Sequence, residues 1–180
     1  MAQAVQHPVP DRLLVHIGDM TVSFALVELS IQILVGSLIL EHQEIGRIIT
    51  AELSFKQLRA LAISLYKARH GEDADFDTLR KLIKRAAQLE QTRNVITHSI
   101  WGAGRSPETV TRIKTTAKEK RGIHSESVEL DAGELASVAF QLKSLAGEIQ
   151  GFWLSLLDRG KAINSPCQKI WPRHSDRHGP

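Results

Sequence analysis

The feature of this chain that most constrains its fold is a helical repeat of apolar residues over residues 75–101. Apolar side chains recur there every three or four residues, which is the period of one face of an α-helix. They are Phe76, Leu79, Leu82, Ile83, Ala86, Leu89, Ile96 and Ile100. The repeat predicts a helix over 75–101 that ends before Gly102 and Gly104.

Other segments carry the signals that begin and end helices. Ser54 with Gln57, and Asp131 with Glu134, have the spacing of a capping box, in which two residues satisfy each other's backbone amides. Gly71 and Gly160 follow the last apolar residue of their segments, as glycines commonly do at helix ends. Helices are predicted over residues 11–41, with Asp11 as N-cap, 44–51, 54–71 and 131–160.

The segment between the last two long helices has a different composition. Threonine, valine and isoleucine dominate residues 109–130, and residues 118–122 supply a turn, so a β-hairpin is predicted. The fold class is therefore mainly α, an antiparallel four- to five-helix bundle with a hairpin inserted before the last helix. We expect a single domain over residues 1–160 and a flexible C-terminal tail over 161–180.

Composition limits the compartment and the cofactors. The 180 residues suit about one domain, and the single cysteine, Cys167, excludes an internal disulfide. The N-terminus lacks the basic start and apolar core of a signal peptide, and no Cys/His cluster has zinc-finger spacing. A cytoplasmic protein without metal or other cofactor is expected.

The most apolar stretch, residues 22–40, contains Glu28 near its middle together with serines and a glutamine. A charge at that depth of a membrane span is costly. We therefore interpret the stretch as a helix buried on more than one face, against its neighbours and a second copy of the chain, and not as a membrane span.

Positive charge is concentrated in one segment. The chain has a net charge of +3, whereas residues 105–121 alone carry +4. The six cations there are Arg105, Arg112, Lys114, Lys118, Lys120 and Arg121. They are predicted to bind RNA phosphates, with a solvated loop as the alternative.

Several enzyme classes are excluded by their motifs. The sequence has no paired Glu-x-x-His segments for a di-iron bundle, no phosphate-binding Gly-x-x-x-x-Gly-Lys loop and no Gly-x-Ser-x-Gly elbow. Cys167 lies in the predicted tail, which argues against a cysteine nucleophile.

Arg93 interrupts the apolar stripe of the 75–101 helix. It falls on the same stripe as Ala86 and Ile100, where a guanidinium that cannot lose its proton is costly without partners. Asn94 follows it directly, and His98 lies four residues after Asn94, on the same helix face. A permanently charged donor, an amide and a titratable base thus lie within two helical turns.

At these residues the chain resembles the HEPN superfamily, whose signature is an arginine, four to six residues, and a histidine, usually with a polar residue after the arginine. The matching residues are Arg93, Asn94 and His98. Arg173 and His178 also have the spacing but lie in the predicted tail. The resemblance covers residues 11–159 in architecture and about ten residues in sequence.

The resemblance implies a metal-independent endoribonuclease of a toxin–antitoxin or antiphage system, with an antitoxin or regulatory protein as a possible partner. In that chemistry His98 takes the ribose 2′-hydroxyl proton and Arg93 stabilises the phosphate charge. Asn94 either orients the phosphate or holds the His98 ring. The alternative is a non-catalytic helical module that binds RNA or a partner, in which Arg93 pairs with a carboxylate and His98 caps a helix end.

Helix geometry adds an expectation about assembly. Residues five apart on a straight helix point about 140° away from each other, so Arg93 and His98 converge only if the helix end distorts or a second subunit completes the site. We therefore predict a symmetric homodimer with its cleft at the interface.

Overall fold

A computed structural model of the chain describes residues 9–39, 43–118 and 122–162. Within these ranges the chain is mainly helical, with a small three-stranded antiparallel sheet before the last helix. The helices are α1 (Asp11–Leu38), α2 (Gln43–Ala51), α3 (Phe55–His70), α4 (Ala74–Thr97) and α5 (Ala132–Asp158). The strands are β1 (Ile100–Ala103), β2 (Thr109–Lys118) and β3 (Gly122–Asp131).

The two predicted capping boxes and the glycine after α3 are confirmed, whereas Asp11, predicted as an N-cap, is the first residue of α1. The Ser54 side chain accepts the Gln57 backbone N–H and the Gln57 side chain accepts the Ser54 N–H, which closes the capping box of α3. The Asp131 carboxylate likewise accepts the Glu134 N–H at 2.8 Å, while Glu134 accepts the Asp131 N–H at 2.9 Å. Gly71 follows α3 with a φ of 76°, a conformation that favours glycine.

The prediction for the end of α4 is wrong. The helix ends at Thr97, and Ile100, which the apolar repeat assigned to the helix, begins β1 and is 69% exposed. The reason is a competing, non-local interaction. β1 pairs with β2, which satisfies its backbone groups in a ladder that a longer helix would exclude. Ile100 and Trp101 are also residue types that favour strands.

The predicted hairpin is confirmed, and β1 adds a strand that was not predicted. The sheet has the order β1-β2-β3 with antiparallel neighbours. β2 and β3 pair in continuous register from Thr109 opposite Asp131 to Lys118 opposite Gly122. β1 covers only the first part of β2, with Ile100 opposite Ile113 and Ala103 opposite Val110.

The chain forms two compact units. Unit 1 comprises residues 1–26 and 85–145, and unit 2 comprises 27–84 and 146–180. Apolar side chains from α1, α4, β2 and α5 are buried in unit 1, including Leu13, Met20, Leu89, Val110, Leu135 and Leu142. Side chains from α1, α3, α4 and α5 are buried in unit 2, including Ile31, Leu34, Leu58, Leu79, Ile149 and Leu156.

By length and composition α1 is the one described helix that could cross a membrane, and half of its most apolar window is buried inside the protein. The predicted extension of this helix to residue 41 falls partly on residues 40–42, which lie outside the described residues.

A polar cluster joins α3, α4 and the end of α5 within unit 2. Lys161 Nζ donates to Asp73 at 2.7 Å and to Asp75 at 2.8 Å, and Arg159 pairs with Asp75 at 2.9 Å. Tyr66, whose ring is fully buried, donates its hydroxyl to Asp73 at 3.1 Å. Lys161 was predicted to begin a flexible tail, but it is held here; residues 163–180 of that tail lie outside the described residues.

These contacts change the pKa of Asp73. The Lys161 ammonium and the Phe76 backbone N–H stabilise the charged carboxylate and lower its pKa to about 2. Burial, with the Asp73 hydrogen bond, raises the pKa of Tyr66 to about 12. The carboxylate therefore favours the folded state above the unfolded pKa of about 3.9, and the benefit disappears as the pH falls toward 2.

We expect the unfolding temperature of the wild-type protein to fall between about pH 4 and pH 2. Asp73→Asn should lower the unfolding temperature at neutral pH and weaken its dependence on pH within that window. Thermal unfolding followed by circular dichroism measures both effects. Asp158→Asn is the matched control, because Asp158 is exposed and forms no ion pair with the described residues. Equal pH profiles for Asp73→Asn and the wild type would contradict the assignment.

Candidate functional site

Arg93 is half-buried in unit 1 and is held by two uncharged partners. Its guanidinium lies over the Phe24 ring, 4.9 Å from the centroid, in the geometry of a cation–π contact. Its Nη1 donates to the Asn94 side-chain oxygen at 2.9 Å. Its Nε is buried without a hydrogen-bond partner among the described residues. The side chain is thus positioned, but its hydrogen-bonding capacity is not used up.

The charge of Arg93 is not neutralised within unit 1. No described carboxylate of this unit forms an ion pair with it, so the alternative of an arginine paired with a carboxylate finds no support there. A ring face and an amide oxygen attract the guanidinium but carry no full negative charge. This arrangement leaves the cation available to an anionic ligand.

His98 lies directly after α4, in the turn that leads to β1. Its backbone N–H donates to the Asn94 carbonyl at 3.1 Å, and the Thr97 hydroxyl donates to the Arg93 carbonyl at 2.9 Å. The backbone of the last helical turn therefore links His98 to Asn94. The imidazole is exposed and forms no hydrogen bond or ion pair with the part of the chain that the structure describes.

The structure brings Arg93 and Asn94 into direct side-chain contact, whereas it joins His98 to them through its backbone alone. The early end of α4 also removes the straight-helix geometry that separated Arg93 from His98. The turn after α4, and not the helical period, determines the direction of the His98 side chain. The periodicity of the sequence could not predict this turn.

The predicted basic segment does not form one uniform surface. Arg105 is exposed, and its side chain lies 3.8 Å from Glu129. Lys114 is partly exposed on β2, opposite Glu126. The side chain of Lys118, together with Lys120 and Arg121, lies outside the described residues.

Arg112 is the exception within this segment, because it is only 6% exposed. It faces Trp101 across the β1–β2 ladder and pairs with Glu126 at 3.5 Å. Its Nη1 is buried without a hydrogen-bond partner among the described residues. A guanidinium in this position does not present itself to an RNA phosphate, so the structure places Arg112 in the packing of the sheet.

A second basic surface, which the sequence did not indicate, lies in unit 2. A groove of about 450 Å³ between α3 and α4 is lined by Arg59, Ile63, Asp77, Arg80, Lys81, Ile83 and Lys84. The lining of the groove thus contains four positively charged side chains and one carboxylate. Arg59 and Arg80 are stacked on the rings of Phe55 and Phe76, at 5.3 and 5.8 Å from the centroids. Lys81 and Lys84 are exposed and form no ion pair with another described residue.

The sequence gives little sign of this groove because its cations are dispersed along the chain. Arg59 belongs to a different helix from the other three, and the α4 cations follow closely after Asp73, Asp75 and Asp77. A charge sum along the chain cancels these cations against the nearby carboxylates, whereas the surface of the helix places them on different faces.

Among the described residues, no group of three or more His, Cys, Asp or Glu side chains could hold a metal ion. Comparisons of the chain with protein-family models, with curated proteins and with solved structures found no match.

The position of Arg112 generates a test of its structural role. Replacing a buried ion with an apolar side chain of similar length removes the cost of desolvating the charge. We expect Arg112→Met to leave the free energy of unfolding unchanged or to raise it, because the Glu126 carboxylate is exposed and stays solvated without its partner. Chemical denaturation measures this quantity. Arg105→Met, at an exposed position, is the matched control and should have little effect, and a marked loss of stability in Arg112→Met would contradict the interpretation.

Proposed function

We propose that the protein is a metal-independent endoribonuclease of HEPN type, built as an antiparallel helical bundle and active in the cytoplasm. The observation that carries the proposal is the environment of Arg93: a guanidinium oriented by Phe24 and Asn94, without a carboxylate of unit 1, in the helical turn that precedes an exposed His98. These are the residues that the resemblance assigns to catalysis.

The chemistry needs only a base and a cation from the protein. His98 removes the proton of a ribose 2′-hydroxyl, and the resulting oxygen attacks the adjacent phosphorus. Arg93 stabilises the negative charge that builds on the phosphate oxygens. The bond to the 5′-oxygen breaks and that oxygen takes a proton from water, which leaves a 2′,3′-cyclic phosphate and a 5′-hydroxyl. Asn94 acts as a positioning residue, since its side-chain oxygen already holds the guanidinium.

RNA is held by two basic surfaces in this proposal. The first is the predicted basic segment without Arg112, namely Arg105, Lys114, Lys118, Lys120 and Arg121. The second is the α3–α4 groove, where the cations surround the aliphatic side chains of Ile63 and Ile83. Cations contribute affinity through phosphate contacts and counterion release, while the aliphatic surface suits the face of an unstacked base.

The proposed working unit is a homodimer, and its activity belongs to a toxin–antitoxin or antiphage system in which an antitoxin or regulatory protein restrains it. One observation favours the alternative of a non-catalytic module that binds RNA or a partner: the His98 imidazole makes no contact with the side chains of Arg93 or Asn94. Cleavage assays separate the two functions.

We expect the purified protein to cleave RNA in the presence of EDTA and to leave 2′,3′-cyclic phosphate ends. His98→Ala removes the base and should lower the cleavage rate by about 10²–10⁴-fold. Arg93→Ala removes charge stabilisation and should lower it by about 10²–10³-fold. Gel electrophoresis of end-labelled RNA, with chemical analysis of the ends, measures rate and product.

Two further variants are the controls for this experiment. His16→Ala changes a histidine on α1 and should retain wild-type cleavage. Arg93→Lys keeps the positive charge but loses the planar fork, so only part of the activity should remain. Full activity of His98→Ala, or an absolute requirement for added magnesium, would contradict the proposed chemistry.

The α3–α4 groove should contribute to RNA affinity and not to the chemical step. Lys81→Gln with Lys84→Gln removes two cations from the groove, so affinity for single-stranded RNA should fall by roughly tenfold and the salt dependence should flatten. Fluorescence anisotropy at several salt concentrations measures both. The His98→Ala background keeps the probe intact during the measurement.

The matched control removes the same charge from the same unit. Lys56→Gln with Lys67→Gln changes two exposed lysines of α3 that lie outside the groove lining. An equal loss of affinity in the two double variants would show that net charge, and not the groove, determines binding.

A further inference from the structure

β3 is an edge strand of the sheet, and within the described residues nothing pairs with its outer side. It has ten residues, and its register against β2 is continuous, without a bulge. Residues 122–127 are all exposed, and Ile123 is 79% exposed. A long, regular and exposed edge presents a row of backbone donors and acceptors to another strand.

In the described part of the chain, the distal half of the hairpin also has no third strand. β1 reaches only from Val110 to Ile113 of β2, so residues 114–118 and 122–126 form a two-stranded ribbon. Two-stranded ribbons alone are marginally stable in water, and a third strand with shared side-chain contacts is what stabilises them. The free edge of β3 is where such a strand would add.

The two open edges of this ribbon differ in how they discourage pairing. The edge of β2 carries Lys114 and Lys118, and lysines are a common device against pairing between edges. β3 has neither lysine nor proline between Gly122 and Asp131. The charges of β3 are the carboxylates Glu126, Glu129 and Asp131, so its edge is suited to a partner strand that offers them a donor.

We infer that β3 pairs antiparallel with β3 of a second copy of this chain, centred on Ser125. Residues directly opposite each other in an antiparallel pair have side chains on the same face of the sheet. When the two strands are identical and related by a two-fold axis, this requires that one residue lie opposite its own copy at the axis. Centred on Ser125, the pairing puts His124 of each copy opposite Glu126 of the other. The axis creates two such donor–acceptor pairs.

Neighbouring registers lack this complementarity. Centring on Glu126 puts two carboxylates directly opposite each other, which destabilises an antiparallel pair. Centring on His124 puts the two imidazoles together and leaves Glu126 opposite Gly122. In the Ser125 register the Glu126 carboxylate, which already pairs with Arg112 at 3.5 Å, has further acceptor positions for an imidazole N–H.

The result is a continuous sheet of six strands in the order β1-β2-β3-β3-β2-β1. Each distal ribbon gains a third strand, and the exposed Ile123 gains a cross-strand neighbour in Ser127. The inference concerns assembly alone and holds whether or not the chain cleaves RNA, so the test below uses no cleavage readout.

Disulfide trapping tests the register. Ser125→Cys, in a Cys167→Ser background, places two thiols opposite each other at the axis, where Cα atoms of paired strands are about 4.5–5.5 Å apart. This separation lies within the range that a disulfide spans. Treatment with oxidised glutathione should therefore give a covalent dimer on a non-reducing gel.

Ser127→Cys is the matched control, an exposed serine on the same strand face two residues away. In the inferred register its two copies lie about 14 Å apart along the strands, too far for a disulfide. Absence of the Ser125→Cys dimer, or more efficient trapping at residue 127, would overturn the inference. Circular dichroism establishes that both variants are folded.

Charge substitution at His124 provides an independent measurement that needs no thiol. His124→Lys keeps a cation or donor opposite the partner's Glu126 and should retain the dimer. His124→Glu puts carboxylates opposite each other twice, so the dissociation constant from analytical ultracentrifugation should rise by about tenfold. Equal dissociation constants for the two variants would overturn the proposed pairing.

Discussion

The pairing of β1 with β2 is the interaction on which the candidate site depends. Because Ile100 to Ala103 enter a strand ladder, the backbone of α4 must end at Thr97. His98 therefore lies in a turn at the surface, while Arg93 and Asn94 occupy the last helical turn. A helix that continued to Trp101 would carry His98 on a regular helix face and would leave the edge of β2 without its third strand.

Local signals in the sequence predicted much of the fold, and a non-local contact explains the main error. The capping boxes at Ser54 and Asp131 and the glycine after α3 involve residues within one turn, so spacing alone identifies them. The end of α4 depends on strand β2, which follows more than ten residues later. Helical periodicity continued through Ile100 and carried no information about that competing partner.

The candidate site likewise has one part that local sequence signals predicted and another part that they did not. The sequence identified Arg93, Asn94 and His98 by spacing and chemistry, and the structure adds the Phe24 ring, which comes from another helix and has no local signal. The basic segment was identified by its charge sum, which does not distinguish the exposed Arg105 from the buried Arg112. The α3–α4 groove was missed for the converse reason, since its cations gather on a surface and not along the chain.

Arg93 and Arg112 show how the partners of a guanidinium indicate its use. Both arginines belong to unit 1 and each has a buried nitrogen without a hydrogen-bond partner among the described residues. Arg112 forms an ion pair with Glu126 of the neighbouring strand, so its charge is compensated where it lies. Arg93 contacts a ring face and an amide oxygen, which fix its direction and leave its charge uncompensated within that unit. Orientation without neutralisation favours anion binding, because an arginine already paired with a carboxylate gains less from a second anion.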